Sequence, residues 1–189
     1  LQQIIDEQPV GYPIDMRVTP SQTVTGGSIY EIACAPITEA SLTLKKGWNY
    51  IGSPLMSMQS RGQILGNAPR PADDTDVVWY WNKERYAIWP ADQPLSPERG
   101  YFVYCPFGER SITLSGVKAD GVMLLQPGWN LVSPPSDCAV PGVEGIVGGV
   151  WQIHAGACRM VAIGSMLKAG NGYWIFVGTS EPVMVDFGQ

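Results

Sequence analysis

The chain has 189 residues, of which 45% are hydrophobic and 15% charged, with 12 basic and 17 acidic side chains and a formal net charge of −5. This composition supports a packed core and excludes wholesale disorder, and the acidic balance argues against a nucleic-acid partner, which needs clustered Lys and Arg. The 22 Gly and 16 Pro interrupt the chain too often for long helices and favour many short strands joined by turns. No run of 18 apolar residues is present, so no transmembrane helix is expected. A first residue other than Met fits either a trimmed chain or a mature form left after processing.

In chain order, residues 1–12 read as a lead-in. Strands follow at Ile14–Thr19 and Ser28–Cys34, joined across Thr25-Gly26-Gly27. Leu42 and Leu44 alternate with Ser41, Thr43 and Lys45, the period of a half-buried strand. Trp48–Pro54 is a second strand, ended by a proline that cannot donate to a ladder. Ser60–Gly66 suits one helical turn. Val77–Trp81 and Arg85–Trp89 read as a hairpin around Asn82-Lys83-Glu84, and Tyr101–Cys105 with Ser111–Leu114 as another, with Gly108 in the connection.

The strongest signal is internal similarity. Gly47-Trp48-Asn49-Tyr50-Ile51-Gly52-Ser53-Pro54 returns 81 residues later as Gly128-Trp129-Asn130-Leu131-Val132-Ser133-Pro134-Pro135. Val78-Trp79 returns as Val150-Trp151, and Gly100-Tyr101-Phe102-Val103 as Gly172-Tyr173-Trp174-Ile175, both 72 residues on. The same spacing places second-copy strands at Val150–His154, Arg159–Ile163, Tyr173–Val177 and Pro182–Asp186, and sets Val143–Val147 against the helical turn. The first copy carries nine extra residues within Leu55–Asp76. An all-β fold is therefore expected: two tandem modules of about 70 residues, each a small barrel or sandwich. Their bounds are 41–118 and 119–189, and the strands of residues 1–40 are added to the first.

These landmarks resemble a family of β-rich repeats in bacterial secreted and cell-surface proteins, with Gly-Trp-Asn-Leu-Ile-Ser-x-Pro, then Val-Trp-x-Trp, then a Gly-Tyr-Trp-Val strand. The resemblance covers about Ser41–Gln189, and the second copy departs from it at Ile153, where the first has Trp81. It implies an accessory, extracytoplasmic module of a larger protein and carries no catalytic residues.

The aromatic side chains give the functional lead. Trp48/Trp129, Trp79/Trp151 and Tyr101/Tyr173 occur in both copies and are expected in the core. Tyr80, Trp81, Tyr86 and Trp89 face Gln152, Ile153, Cys158 and Val161, so the common fold does not require them. They are the candidate ligand-binding residues, as a stacking platform for sugars or a protein-contact patch.

Other chemistry is sparse. Cys34, Cys105, Cys138 and Cys158 lack the Cys-x-x-Cys spacing of zinc or redox sites. Most suit small buried hydrophobes, and Cys138 with Cys158 is the candidate disulfide. Asp73, Asp74 and Asp76 are candidate calcium ligands, weighed against a solvated acidic loop. No other cofactor is expected. The single histidine, His154, falls at a hairpin turn with no triad around it. Gly145-Ile146-Val147-Gly148-Gly149 lacks the lysine of a phosphate loop. Glu84, Asp92, Glu98 and Glu109 lie at predicted turns without activating partners.

The expectation is a non-catalytic adhesion, scaffold or ligand-presenting module whose partner is a protein or glycan surface. A carbohydrate-binding module using the first-copy aromatics is the alternative, and a hydrolase domain ranks below both.

Overall fold

A computed structural model describes the backbone at residues 2–5, 8–10, 29–31 and 154, and residues 35–65, 77–106, 108–153, 157–162 and 164–188 in full. Among the described residues the regular structure is almost all antiparallel strand, with one short helix. Three N-terminal strands, β1 (Gln2–Ile5), β2 (Gln8–Val10) and β3 (Ile29–Glu31), form a sheet in the order β2-β1-β3. The segment expected as a lead-in thus contains a hairpin, and these strands pair with one another rather than extending the next sheets. The strand expected at Ile14–Thr19 lies outside the described residues.

The first large unit contains β4 (Thr38–Leu44), β5 (Gly47–Gly52), β6 (Leu55–Ser57), α1 (Arg61–Leu65), β7 (Val78–Trp81), β8 (Tyr86–Ile88), β9 (Gly100–Cys105) and β10 (Arg110–Lys118). Two layers face each other: a sheet β4-β10-β6 and a sheet β5-β9-β7-β8. Alternation decides what lies between them. Leu42, Leu44, Ile112 and Leu114 point inward from one layer, and Ile51, Val78, Tyr101 and Val103 from the other. This is a sandwich. Helix α1 opens on a capping box: Gln63 N donates to Ser60 Oγ at 3.3 Å, and Ser60 N to Gln63 Oε1 at 2.8 Å.

The second unit contains β11 (Val122–Leu125), β12 (Gly128–Val132), β13 (Cys138–Ala139), β14 (Ile146–His154), β15 (Ala157–Met160), β16 (Met166–Leu167), β17 (Tyr173–Val177) and β18 (Val183–Asp186). Its large sheet runs β12-β17-β14-β15, opposite the pair β11-β18, and β13 pairs with β16. Met123, Leu125 and Val185 meet Val132, Val150, Tyr173 and Ile175 in a second core. No helix among the described residues is long and apolar enough to cross a membrane.

Both large sheets have the same strand order, and small details recur with it. Asn49 accepts from Lys45 N and donates to Lys45 O, each at 2.8 Å, while Asn130 does the same with Gln126 at 3.0 and 2.7 Å. Both loops turn through a glycine in the left-handed region, Gly47 at φ 95° and Gly128 at φ 87°. The Tyr101 hydroxyl accepts from Ser96 N at 2.8 Å, and Tyr173 from Lys168 N at 2.7 Å.

The units meet reciprocally. Gly52 lies against Ser133, Gly100 against the Leu131 side chain, and Gly172 against Tyr50. Gly52 N donates to Gly170 O, and Gly172 N to Tyr50 O, both at 2.9 Å, so the free edge of β5 is covered by the second unit.

Two expectations are corrected. The segment Tyr101–Cys105 does not form a hairpin with Ser111–Leu114. Strand β9 lies between β5 and β7, and β10 crosses to the other layer between β4 and β6. Pro106, without an N–H for a ladder, ends β9 and turns the chain across. Likewise β17 lies between β12 and β14, while β18 pairs with β11 in the opposite layer. Second, Trp48 and Trp129 are not core residues, being 59% and 45% exposed, and Trp79 and Trp151 are half-buried on the same outward side, in neither core. In β5 the inward parity belongs to Asn49 and Ile51, so the asparagine of Gly-Trp-Asn is buried and the tryptophan faces out. Tyr101 and Tyr173 are buried as expected.

Candidate binding surface

The outward parity of both large sheets is aromatic or apolar. On the first sheet it comprises Trp48 and Tyr50 of β5, Phe102 and Tyr104 of β9, Trp79 and Trp81 of β7, and Tyr86 and Ile88 of β8, as the strand registers require. On the second, Trp129, Trp174 and Phe176 are joined by Trp151 and Ile153 and, across β14 and β15, by Met160 and Cys158.

Ring contacts run without a break across the two units. Tyr50 meets Phe102 at 4.2 Å between centroids, Phe102 meets Tyr86 at 4.8 Å, and Tyr86 meets Trp81 at 5.1 Å. Trp81 crosses to Trp174 at 5.6 Å, and Trp129 touches both Trp174 at 6.1 Å and Phe176 at 5.2 Å. Most of these contacts are edge-to-face, a geometry worth about 0.5–1.5 kcal/mol per pair beyond burial. Trp48 and Tyr104 pack at 5.2 Å at the far end. A shallow hollow of about 470 Å³ lies over the junction, walled by Trp81, Tyr86, Trp129, Trp151, Cys158 and Trp174.

Few polar groups on this face are available. Trp81 Nε1 donates to Trp129 O at 3.0 Å, which also ties the units together, and Trp151 Nε1 donates to Gly148 O at 2.9 Å. Burial, reinforced by Tyr86 and Cys158 nearby, pushes the Tyr50 hydroxyl up to about 12, so it is a neutral phenol at physiological pH. Burial of the hydroxyl raises Tyr86 also.

Strand parity divides the four aromatics that the sequence points to. Trp81 and Tyr86 belong to the outer face. Tyr80 and Trp89 lie on the opposite side, edge-to-face at 5.1 Å and packed against the first core. Trp89 also meets Tyr101 at 5.4 Å and donates from Nε1 to Pro94 O at 3.0 Å. Phe102, Trp174 and Phe176 join the face without having been expected there, although the alternation of Tyr101-Phe102-Val103-Tyr104 and Tyr173-Trp174-Ile175-Phe176 contains the signal.

Asp73, Asp74, Asp76 and Cys34 lie outside the described residues, as does the His154 side chain. Among the described residues no three His, Cys, Asp or Glu side chains gather as a metal site. Glu84, Asp92, Glu98 and Glu109 are exposed.

The expected Cys138–Cys158 disulfide does not form. Cys138 is buried in the second core while Cys158 is exposed on the outer face, and both are free thiols. The two cysteines belong to different sheets, Cys138 to the β13–β16 pair and Cys158 to β15 of the large sheet. Burial, with Asp137 and Asp186 adding, pushes the Cys138 thiol up, and Cys105 is buried with its thiol on Gly108 O at 3.1 Å. In a Cys34→Ser background, a thiol reagent is expected to label Cys158 about a hundredfold faster than Cys105 or Cys138. Equal rates in the native protein would contradict these placements.

No family model, curated protein or solved structure matches the chain.

Proposed function

We propose that the chain is a non-catalytic interaction module that docks a partner protein through its aromatic face. The observation carrying this reading is the continuity of the apolar surface over both sheets. Seven of its large side chains, Trp48, Tyr86, Ile88, Tyr104, Trp129, Val147 and Met160, are 41–60% exposed. Side chains of this class bury about 150–250 Å² when aromatic, so their open parts sum to roughly 600–700 Å². That exceeds the patch on most monomers, about 300–600 Å², and approaches the ~800 Å² per partner of a standard interface. The occupant is a protein with an apolar surface of its own, because the face offers rings and few available donors. The sequence landmarks add the setting, an adhesion or scaffold part of a larger bacterial extracytoplasmic protein. Sugar stacking on the same rings is a second reading, favoured by the openness of Trp48 beside Tyr104.

A photo-crosslinking residue at position 48, compared with one at Ser111 on the polar outer side of β10, tests the docking reading in producing cells. Crosslinks to one protein at position 48 and none at 111 are expected. Trp48→Ala should weaken binding of that partner about 10–100-fold while costing less than about 1 kcal/mol in folding. No adduct at position 48 in folded protein would sink the docking reading. Binding of neutral polysaccharide that is lost in Trp48→Ala would favour the sugar reading instead.

A further inference from the structure

A second concavity, which shares Trp81 and Trp129 with the outer face but opens away from it, lies between the units. It is a cleft of about 330 Å³ between the β7–β8 turn and the β11–β12 segment, within the size range of small-molecule sites. Trp81 and Trp129 stand between this cleft and the aromatic face, held by the hydrogen bond from Trp81 Nε1. The lining mixes rings with charge: Tyr80, Trp81 and Trp129 on one hand, Lys83, Glu98 and Arg99 on the other.

Arg99 carries the argument. Its guanidinium carbon lies 5.4 Å from the Tyr80 ring centroid and 5.6 Å from that of Trp89. Stacking of this kind orients a guanidinium without using its N–H groups. Among the described residues the Arg99 side chain makes no hydrogen bond or ion pair, so its planar fork remains open for a carboxylate. Lys83 adds a second cation from a turn fixed by its own left-handed backbone, φ 81°. Asn82 Oδ1 accepts from Glu84 N and Arg85 N at 3.2 and 2.9 Å, which holds that turn at the cleft. Against these cations stands one carboxyl, Glu98. Although Glu98 is exposed as a residue, partial desolvation of its carboxyl beside the cleft, with Asp120 adding, pushes it up, and Arg99 opposes the shift. The cleft therefore holds two cations, one carboxyl and flat apolar walls.

We propose that this cleft binds an acidic sugar, with the carboxylate of a uronic acid on Arg99 and Lys83 and its ring against the aromatic wall. A small inorganic anion would use the cations but not the rings, and a neutral sugar would use the rings but not the cations. Only a ligand with both parts engages the whole lining.

The test is titration of the full chain with glucuronate and galacturonate, followed by tryptophan fluorescence, with glucose, acetate and phosphate as controls. At least one uronate is expected to bind with a dissociation constant of about 0.1–1 mM. Each control should bind at least about tenfold more weakly. Arg99→Ala should lower uronate affinity at least about tenfold. Because Arg99 also packs on Tyr80 and Trp89, Lys83→Ala is the second variant. It removes only an exposed turn cation and should weaken binding about threefold or more. Trp48→Ala should leave uronate binding unchanged, which separates this site from the docking face. No saturation by either uronate up to about 10 mM, equal binding of acetate or glucose, or full affinity retained in Lys83→Ala and folded Arg99→Ala would overturn the proposal.

Discussion

Tyr101→Ala is expected to destabilise the protein by about 3–5 kcal/mol, a large part of the 5–15 kcal/mol that holds most domains folded. Tyr101 has no exposed surface and sits in the first core, so truncation leaves a ring-sized void. It also strips the Ser96 N–H of its 2.8 Å acceptor. Tyr101→Phe separates the two effects: it keeps the ring, loses the acceptor, and should cost about 1–2 kcal/mol. Tyr173→Phe should behave alike, because Lys168 N donates to that hydroxyl at 2.7 Å. Urea denaturation of the three variants measures each cost. A Tyr101→Ala protein within about 1 kcal/mol of wild type would mean that the ring is not closed in as described.

The second large effect is expected at the junction. A Cβ added at Gly52 would overlap Ser133 Cβ and stand 3.0 Å from Arg99 O. Neither obstacle is the movable end of a long side chain. Gly52→Ala should therefore cost about 2–3 kcal/mol through overpacking. Ser133→Gly vacates the opposing space. The double variant should recover most of the loss, giving a coupling energy above about 1 kcal/mol. Additive costs in that cycle would show that the two positions do not meet.

Local chemistry makes part of the fold legible in the sequence. The alternation at Leu42 and Leu44, the turn at Asn82-Lys83-Glu84 and the short helical turn after Ser60 each depend on a few neighbouring residues. Strand exchange between layers is less legible. Pairing of β10 with β4 rather than β9 is a long-range choice, and the residues at the Gly108 turn also suit a hairpin. Residues 1–12 conceal a hairpin because Gln3-Ile4-Ile5 and Gln8-Pro9-Val10 are too short to show a period.

The site is half legible. Repetition of Trp48 and Trp129 suggests a core role, but a position can recur because it sustains a surface. Parity is the better guide. Counting from buried Tyr101 places Phe102 and Tyr104 outside, and counting from Tyr173 places Trp174 and Phe176 there. The same count separates Trp81 from Tyr80. Contacts between Trp81 and Trp174 are not legible, since they depend on how the units join.

That junction determines what a partner would encounter. Two backbone hydrogen bonds at Gly52 and Gly172, with close glycine contacts around them, leave little room for hinge motion. Rings contributed by residues as far apart in sequence as Trp48 and Phe176 therefore keep fixed spacings before anything arrives. Preorganisation of this kind removes much of the ordering entropy from association. A flexible pair of halves would have to be immobilised during binding, whereas this surface presents one rigid epitope.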